Sequence, residues 1–379
     1  MKLYLHIIAE PHKKISMTLP GKIMLNLAII GLGYWGQRLV SSSEASGRFK
    51  VTRVVDTDAD NPSIKEFAQT HDMTLSSSFD DALADPAVDA LVLATPHNQH
   101  PEQIVSAAAA GKHVYTEKPF SLYKEPAERA VAACQDAGVI LGLGHDQRFY
   151  PVIREIKRLI DEGEMGTLLH IEANISHDAY QLVYRSRNNP DELSEADKKR
   201  YGASRKPSAW RLDTREAPTG PLVHFGIHRV DSFIHLFGEV DWVFAACAER
   251  SLDPGVIDTI AVTMKFKCGA TGQLSCSLST PLNSRLQVFG SSGWVEARGA
   301  EDPQEYSMTS LKSLIHVHGG DRQEQQFEPM DSVKSNFESF ADAIEGKVPF
   351  MITPDQMIHN AAIMDAVEKS VERQEVVKV

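Results

Sequence analysis

A glycine-rich hexapeptide near the N-terminus constrains the fold of this chain most strongly. The sequence Gly31-Leu32-Gly33-Tyr34-Trp35-Gly36 follows an apolar run, residues 25–30, whose pattern is typical of a buried parallel strand. The residues after it, 37–40, are compatible with a helix. A strand, a G-x-G-x-x-G turn and a helix in this order form the dinucleotide-binding fingerprint, so the sequence predicts a doubly wound α/β domain.

Each position of this turn has a physical role in the predicted site. Gly31 lets the chain turn sharply off the strand, and Gly33 lacks a Cβ, so that a pyrophosphate can approach the backbone. Gly36 lets the helix pack closely against the sheet. Tyr34 and Trp35 stand at the helix start, where the N–H groups and the helix dipole favour phosphate. We therefore assign all five residues to cofactor binding.

An acidic residue follows the second predicted strand. Residues 51–55 are β-branched and apolar, and Asp56 comes next, 20 residues after Gly36. A carboxylate at this distance is expected to meet the adenosine ribose hydroxyls. Because an acid disfavours a 2′-phosphate, and Thr57 and Asp58 bring no compensating arginine, the sequence favours NAD over NADP.

Strand and helix patterns alternate up to about residue 145, which predicts a parallel, doubly wound sheet. Ligands of such sheets bind at the carboxyl ends of the strands. Several polar or conformationally restricted residues fall at those ends. The further predicted cofactor-binding residues are Thr95, Pro96, His100, Glu117, Lys118 and His145.

The character of the chain changes after residue 145. Alternating and β-branched runs predict a second α+β domain with an open, mostly antiparallel sheet. The predicted division is an extension over 1–22, disordered or loosely docked, a Rossmann domain over 23–145, and a substrate and oligomerisation domain over 146–379. The closing helices are candidates to pack back on the first domain. The charged segment 178–208 is expected to fold over the substrate as a lid.

Composition excludes several classes of protein. The formal net charge of −12 over 379 residues argues against a nucleic-acid or anionic-membrane surface. No apolar run is long enough to span a bilayer. The four cysteines lack C-x-x-C spacing, and they are interpreted as reduced thiols of a cytoplasmic protein.

Two histidines fall on one predicted helix, residues 222–237. His224 and His228 are spaced i, i+4, which places them on one helix face, and Asp231 follows one turn later. This spacing also fits a zinc pair of the H-E-x-x-H type. No glutamate stands beside His224 and no third ligand is evident, so no metal is predicted.

Four motifs together resemble the Gfo/Idh/MocA family, named for glucose–fructose oxidoreductase and inositol dehydrogenase. The resemblance runs from about Leu25 to the C-terminus, and its most specific mark is Glu117-Lys118-Pro119. It implies a Rossmann domain, a C-terminal domain whose open sheet often forms an oligomer interface, and NAD(P)-dependent oxidation or reduction of a sugar or cyclitol. The motifs are the glycine turn, Ala94-Thr95-Pro96, Gly111-Lys112-His113-Val114 with Glu117-Lys118-Pro119, and Gly226-Ile227-His228-Arg229-Val230-Asp231.

The resemblance implies catalytic roles for three residues. The lysine of the triplet lies beside the nicotinamide in this family, so Lys118 is expected to accept the hydroxyl proton, with a pKa lowered to roughly 7–8. His228 matches the family histidine that serves as acid/base partner or polarises the reacting oxygen. His224 stands where the family usually has aspartate. It is expected to relay protons, or else to mark a different substrate or a lost activity.

The resemblance also implies contacts around the substrate. Trp210 and Arg211 are expected to close over the cofactor or substrate, or else to be a packing tryptophan and an exposed arginine. Arg148 is expected at the domain junction and the substrate, and Asp231 faces the substrate as well. His100 and His145 are expected near the nicotinamide and its amide.

Three functions remain open from sequence. The leading hypothesis is an NAD-dependent oxidoreductase of a sugar, cyclitol or related compound. The second is a glycoside hydrolase or lyase that uses bound NAD transiently, and the third is a non-catalytic NAD-binding sensor. A sheet with one uncovered face favours a homodimer or homotetramer.

Overall fold

The computed structural model describes residues 24–178, 213–252, 255–299 and 311–379. The predicted extension over 1–22 lies outside them, and so do Trp210, Arg211 and all of the predicted lid except Asp178. Among the described helices, none combines the length and the apolar character needed to cross a bilayer.

The first sheet has six parallel strands within the described residues. Its order is β3-β2-β1-β4-β5-β6, the order typical of dinucleotide-binding folds, which confirms the predicted Rossmann sheet. The central strand β1 is apolar on both faces because helices cover both, and Leu27, Ala28 and Ile29 are fully buried. The strands are β1 Leu25–Ile30, β2 Phe49–Val55, β3 Thr74–Ser76, β4 Ala90–Leu93, β5 His113–Thr116 and β6 Leu141–Leu143.

Local sequence explains where the helices of this domain begin and end. Helix α2 begins after Asn61, whose side chain accepts a hydrogen bond from the Ser63 amide, and Pro62 occupies its first turn. Helix α5 ends at Gly138, which adopts the left-handed conformation. The helices are α1 Tyr34–Ala45, α2 Pro62–Thr70, α3 Phe79–Ala84, α4 His100–Ala109 and α5 Lys124–Ala137.

The second sheet has nine described strands in the order β14-β13-β12-β11-β7-β10-β9-β8-β15. All neighbouring strands are antiparallel except β7 and β10, which confirms a mostly antiparallel sheet. The strands are β7 Leu168–Ser176, β8 Val240–Ala248, β9 Thr259–Phe266, β10 Thr271–Ser277, β11 Asn283–Gly290, β12 Gly293–Gly299, β13 Leu311–His318, β14 Asp321–Gln326 and β15 Val377–Lys378.

Helices cover one face of this sheet, and among the described residues no helix covers the other. Along β9, Ile260, Val262 and Met264 are buried, whereas the alternating Ala261 and Thr263 are exposed. Helices α6 and α7, together with the last helix, pack on the buried side. These helices are α6 Pro151–Asp161, α7 Ile227–Phe237, α8 Ser332–Ile344 and α9 Pro354–Arg373.

Helix α8 packs on the first domain although it lies near the end of the chain. The rings of Tyr115 and Phe337 stack with centroids 4.4 Å apart. The side-chain amide of Asn336 donates 2.9 Å hydrogen bonds to the Tyr115 hydroxyl and the Leu143 carbonyl. The core of the Rossmann domain therefore includes residues far outside 23–145.

Candidate active site

The glycine turn between β1 and α1 has the shape that a dinucleotide requires. Gly31 has a φ of +92°, and a Cβ there would lie 2.8 Å from the carbonyl oxygen of Ala94. A Cβ on Gly36 would overlap the carbonyl oxygen of Gly31, so only glycine lets α1 start this close to the strand. A Cβ on Gly33 would have no atom of the described residues within 4 Å. This open space fits a pyrophosphate approaching the backbone.

Asp56 lies directly beside this turn. Its carboxylate accepts hydrogen bonds from the amides of Leu32, at 2.7 Å, and Asp58, at 2.9 Å. These two bonds fix the acid at the carboxyl end of β2, next to the open side of the glycine turn. The arrangement fits the predicted contact with ribose hydroxyls.

His100 joins the two loops that follow β4 and β5. Its Nε2 lies 3.0 Å from the Thr95 carbonyl, and its Nδ1 lies 2.8 Å from the Pro119 carbonyl. Burial lowers the pKa of His100 to about 4, so the ring is neutral near pH 7. The side chain is fully buried and holds these two loops together, while its predicted contact with the cofactor stays a prediction.

Glu117 is buried where β5 ends. Burial raises the pKa of its carboxyl to about 7, although the nearby Trp35 indole and Lys118 favour the charged form. A Cβ on residue 144 would lie 2.7 Å from Glu117 Oε1, so Gly144 makes room for this carboxyl. Glu117 thus lies between the glycine turn and the ends of β5 and β6.

Lys118 connects the two domains. Its Nζ donates a 2.6 Å hydrogen bond to the carbonyl oxygen of His224, and its side chain is half-buried. The peptide bond between Lys118 and Pro119 is cis. The lysine therefore extends from the end of a Rossmann strand to the segment that carries the predicted histidines.

That segment is not one continuous α-helix, which corrects the sequence prediction. Leu222–Gly226 form a π-helical turn, and the α-helix α7 begins only at Ile227. His224 therefore lies in the π turn and His228 in the first turn of α7, so their i, i+4 spacing crosses the boundary between the two kinds of helix. Single π turns are frequent at functional sites, and this one presents the carbonyl that binds Lys118.

His145 and His228 lie edge to face beside Lys118. Their ring centroids are 5.8 Å apart, and both side chains are buried. Burial lowers the pKa of His145 to about 4 and that of His228 well below its usual value, and Lys118 adds to both shifts. Neither nitrogen of His145, nor Nδ1 of His228, has a hydrogen-bond partner among the described residues. Buried polar atoms of this kind require an explanation, and a bound ligand provides one.

Arg148 and Asp231 pair with each other, and their predicted contact with substrate stays a prediction. The guanidinium donates two hydrogen bonds of 2.9 and 2.7 Å to the carboxylate, and a third, of 2.7 Å, to Gln356. Both side chains are almost completely buried. Burial raises the pKa of Asp231, but the charge and hydrogen bonds of Arg148, together with His145 and His235, lower that pKa more and keep it below its usual value. The pair joins the end of the Rossmann domain to α7 and α9.

Sequence reasoning missed Glu216 and Arg229. The Glu216 carboxylate accepts a 3.1 Å hydrogen bond from the amide of Asn98, and its carbonyl lies 3.0 Å from His97 Nδ1. No motif marks this acid, which holds the segment before the π turn against the loop after β4. Arg229 belongs to a motif, and the signal that could have marked it is a permanently charged side chain on a helix whose residues are almost all buried. In the part of the chain that the structure describes, no cluster of His, Cys, Asp and Glu could hold a metal.

Comparison with protein-family models identifies both halves of the chain. Residues 25–145 match the model described as "Oxidoreductase family, NAD-binding Rossmann fold". Residues 153–296 match the model of the Gfo/Idh/MocA C-terminal domain. The two models cover the glycine turn, Lys118, both catalytic histidine candidates and most of the second sheet.

Relatives and solved structures agree with this assignment. A 2,7-anhydro-N-acetylneuraminate hydratase of Escherichia coli is 30% identical over 217 residues, which span 57% of this chain and 50% of the relative. D-xylose 1-dehydrogenase (NADP(+)) 2 of Haloferax volcanii is 25% identical over 302 residues, 79% of this chain and 83% of that enzyme. Aldose–aldose oxidoreductase of Caulobacter crescentus, solved with glycerol, has the same fold, with a TM-score of 0.76, 23% identity and coverage of 94% and 100%. The chain belongs to the Gfo/Idh/MocA family of oxidoreductases, with an NAD(P)-binding Rossmann domain followed by the family's C-terminal domain.

Proposed function

We propose that this oxidoreductase moves hydride between a nicotinamide cofactor and a hydroxyl-bearing or keto carbon of a sugar, a cyclitol or a related compound. The observation that carries the proposal is the convergence of Lys118, His145 and His228 at the carboxyl ends of the Rossmann strands. The named xylose dehydrogenase among the relatives supports the substrate class.

The chain's own residues divide the work at this site. The glycine turn and Asp56 would hold the cofactor, which supplies the hydride acceptor or donor when bound. Lys118 hydrogen-bonds the reacting oxygen through Nζ and accepts its proton during oxidation, a role for which buried lysines are suited. His228, kept neutral by burial, offers Nδ1 to the same oxygen and fixes the substrate's orientation. His224 relays protons from its place in the π turn.

The test is a substrate screen on purified protein. Sugars, cyclitols and glycosides are mixed with NAD or NADP, and reduced nicotinamide is followed by absorbance. We expect reduced cofactor to accumulate with one class of polyhydroxyl compound, and we expect none with the Lys118→Met variant. Turnover by that variant at the wild-type rate would contradict the assigned role of Lys118.

A second candidate function follows from the Escherichia coli relative. A hydratase adds water to its substrate, and the addition of water causes no net oxidation of that substrate. The second candidate is therefore a hydrolase or lyase that uses its bound cofactor only transiently. It predicts product formation from a glycoside or anhydrosugar while reduced nicotinamide does not accumulate. If the protein binds cofactor but converts no compound of either type, the third hypothesis, a cofactor-binding sensor, is favoured.

We further propose that NAD is preferred over NADP. The support is the fixed carboxylate of Asp56, which would repel a 2′-phosphate. Asp56→Ala is expected to weaken NAD binding and to raise the NAD-to-NADP ratio of dissociation constants, measured by titration of intrinsic fluorescence. Asp60→Ala, at an exposed acid paired with Lys65, is the matched control and should leave the ratio unchanged. An unchanged ratio in Asp56→Ala would overturn the preference.

We also propose a homodimer or homotetramer assembled through the open face of the second sheet, in the cytoplasm. The uncovered face supports the assembly, and the four cysteines, all without disulfides, suit a reducing compartment. Light scattering on the eluted protein measures the assembly. The Thr263→Arg variant, which changes an exposed residue of β9, should dissociate the assembly. If the variant has the same mass in solution as the wild type, the proposed face is not the interface.

A further inference from the structure

We infer that Arg229 is a positioning residue whose guanidinium fixes the first turn of α7 against both domains and places a positive charge next to His228. The inference rests on the proposed function, in which His228 faces the reacting oxygen. Arg229 does not itself contact the substrate in this scheme. It acts through the residue that precedes it in the chain.

Two hydrogen bonds join Arg229 to separate parts of the fold. Its Nη1 donates to Gln147 Oε1 at 2.6 Å, and its Nη2 donates to Ser284 Oγ at 2.7 Å. Gln147 lies in the 3₁₀ turn Asp146–Phe149, directly after the last Rossmann strand, and Ser284 lies on β11. The guanidinium thus fixes the first turn of α7 against both domains.

The burial of this cation is unusual. Arg229 is fully buried, and no carboxylate of the described residues forms an ion pair with it. Burial lowers its pKa to about 10, so it still carries its charge near pH 7. A buried charge without an opposite charge is costly, and an apolar side chain of similar volume would fill the same space without that penalty. The charge therefore calls for a role that a space-filling residue could not have.

The groups around His228 indicate that role. Lys118 faces it from the turn after β5, His145 faces it from the end of β6, and Arg229 follows it on α7. Burial lowers the pKa of His228 most, and these three neighbours lower it further. The other charged groups nearby, Arg148 and Asp231, form an ion pair with each other, so their charges offset one another. Removing the Arg229 charge should therefore let His228 bind a proton more readily.

The experiment measures the protonation of His228 directly. Protein labelled with ¹³C at histidine Cε1 is titrated by NMR from pH 4 to pH 8, and His228→Asn assigns the resonance. In Arg229→Met we expect the His228 pKa to rise by several tenths of a unit or more, whereas Arg229→Lys should keep it low. Arg158→Met, which removes an exposed arginine on α6, is the matched control and should leave the titration unchanged.

Activity provides the second measurement. Arg229→Met should lower kcat and move the acid limb of the pH profile to higher pH, whereas the cofactor dissociation constant should not change. In Arg229→Lys the acid limb should lie at its wild-type pH. If Arg229→Met does not fold, Arg229→Gln removes the charge but retains one donor group. A His228 titration identical in wild type and in the uncharged variant overturns the inference. Full activity of His228→Asn would instead contradict the role of His228 in the proposed function, and the titration would still show whether the Arg229 charge acts on the His228 imidazole.

Discussion

Lys118 Nζ donates a 2.6 Å hydrogen bond to the backbone carbonyl of His224, across the junction between the two domains. The bond uses the backbone, so it does not depend on which side chain stands at position 224. This anchor of Lys118 is therefore independent of the histidine side chain at position 224. The π turn, and not the identity of residue 224, places the carbonyl within reach of the lysine.

Replacing Lys118 should separate chemistry from cofactor binding. In Lys118→Met we expect kcat to fall by a factor of about 10²–10⁴, the usual contribution of a positioned acid or base. The cofactor dissociation constant should change little, because the glycine turn and Asp56 remain. Steady-state kinetics and fluorescence titration measure the two quantities. Lys124→Met, at an exposed lysine on α5, is the control, and a matching loss of activity there would remove the case for Lys118.

Substitution by alanine should have different effects at two glycines of the same turn, one on cofactor binding and the other on thermal stability. Gly33 has open space in front of it, so Gly33→Ala should leave the melting temperature nearly unchanged and weaken cofactor binding at least tenfold. Gly36→Ala should lower the melting temperature, because the new Cβ overlaps the Gly31 carbonyl. Thermal unfolding without cofactor, and titration with it, distinguish the two effects. Unweakened cofactor binding by Gly33→Ala would show that the pyrophosphate does not approach here.

The buried pair of Arg148 and Asp231 should behave as a structural ion pair. Asp231→Asn leaves a buried guanidinium without its charge partner, and the free energy of unfolding should fall by about 3–5 kcal/mol. The double variant Arg148→Met with Asp231→Leu should recover much of that loss, because it buries no charge. Denaturant unfolding measures both. At the exposed pair of Glu155 and Arg158, Glu155→Gln should change stability by less than about 1 kcal/mol, and an equal loss there would contradict the argument.

Stability should depend on pH through the buried histidines. His145 has a folded-state pKa of about 4, below the ordinary value of 6.5, so between these values the unfolded chain binds more protons and stability falls as the pH decreases. His145→Asn removes this contribution, worth up to about 1.4 kcal/mol per pH unit. The difference in unfolding free energy between the two proteins should therefore shrink from pH 7 to pH 5. His318→Asn, at an exposed histidine, is the control variant. If the unfolding free energies of wild type and His145→Asn change in parallel with pH, His145 does not contribute to the pH dependence.

Comparing wild type with His145→Asn also isolates this effect from Glu117. Burial raises the pKa of Glu117 to about 7, so its contribution has the opposite sign and grows as the pH falls. Both proteins contain Glu117, and its contribution cancels in the difference between them.

Much of the fold was accessible from the sequence. The apolar run of β1, the glycine turn and the acid after β2 are local patterns, and they predicted the Rossmann sheet and the position of its ligand edge. Alternating residues likewise predicted most strands of the second sheet. Strands β13, β14 and β15 were not among the predicted strands. The sequence of β14, Asp-Arg-Gln-Glu-Gln-Gln, is polar and exposed throughout, so that no alternation of buried and exposed residues marks it.

The sequence by itself determined which residue types stand at the ends of the Rossmann strands, because these follow from periodicity within a few residues. Only the tertiary structure decided how they pair. Arg148 meets Asp231 across 83 positions of sequence, and Lys118 meets the His224 carbonyl across 106. The π turn that breaks the predicted helix at Leu222–Gly226 is equally invisible in a helical pattern. Such contacts depend on where packed elements bring side chains together, and periodicity carries no information about that.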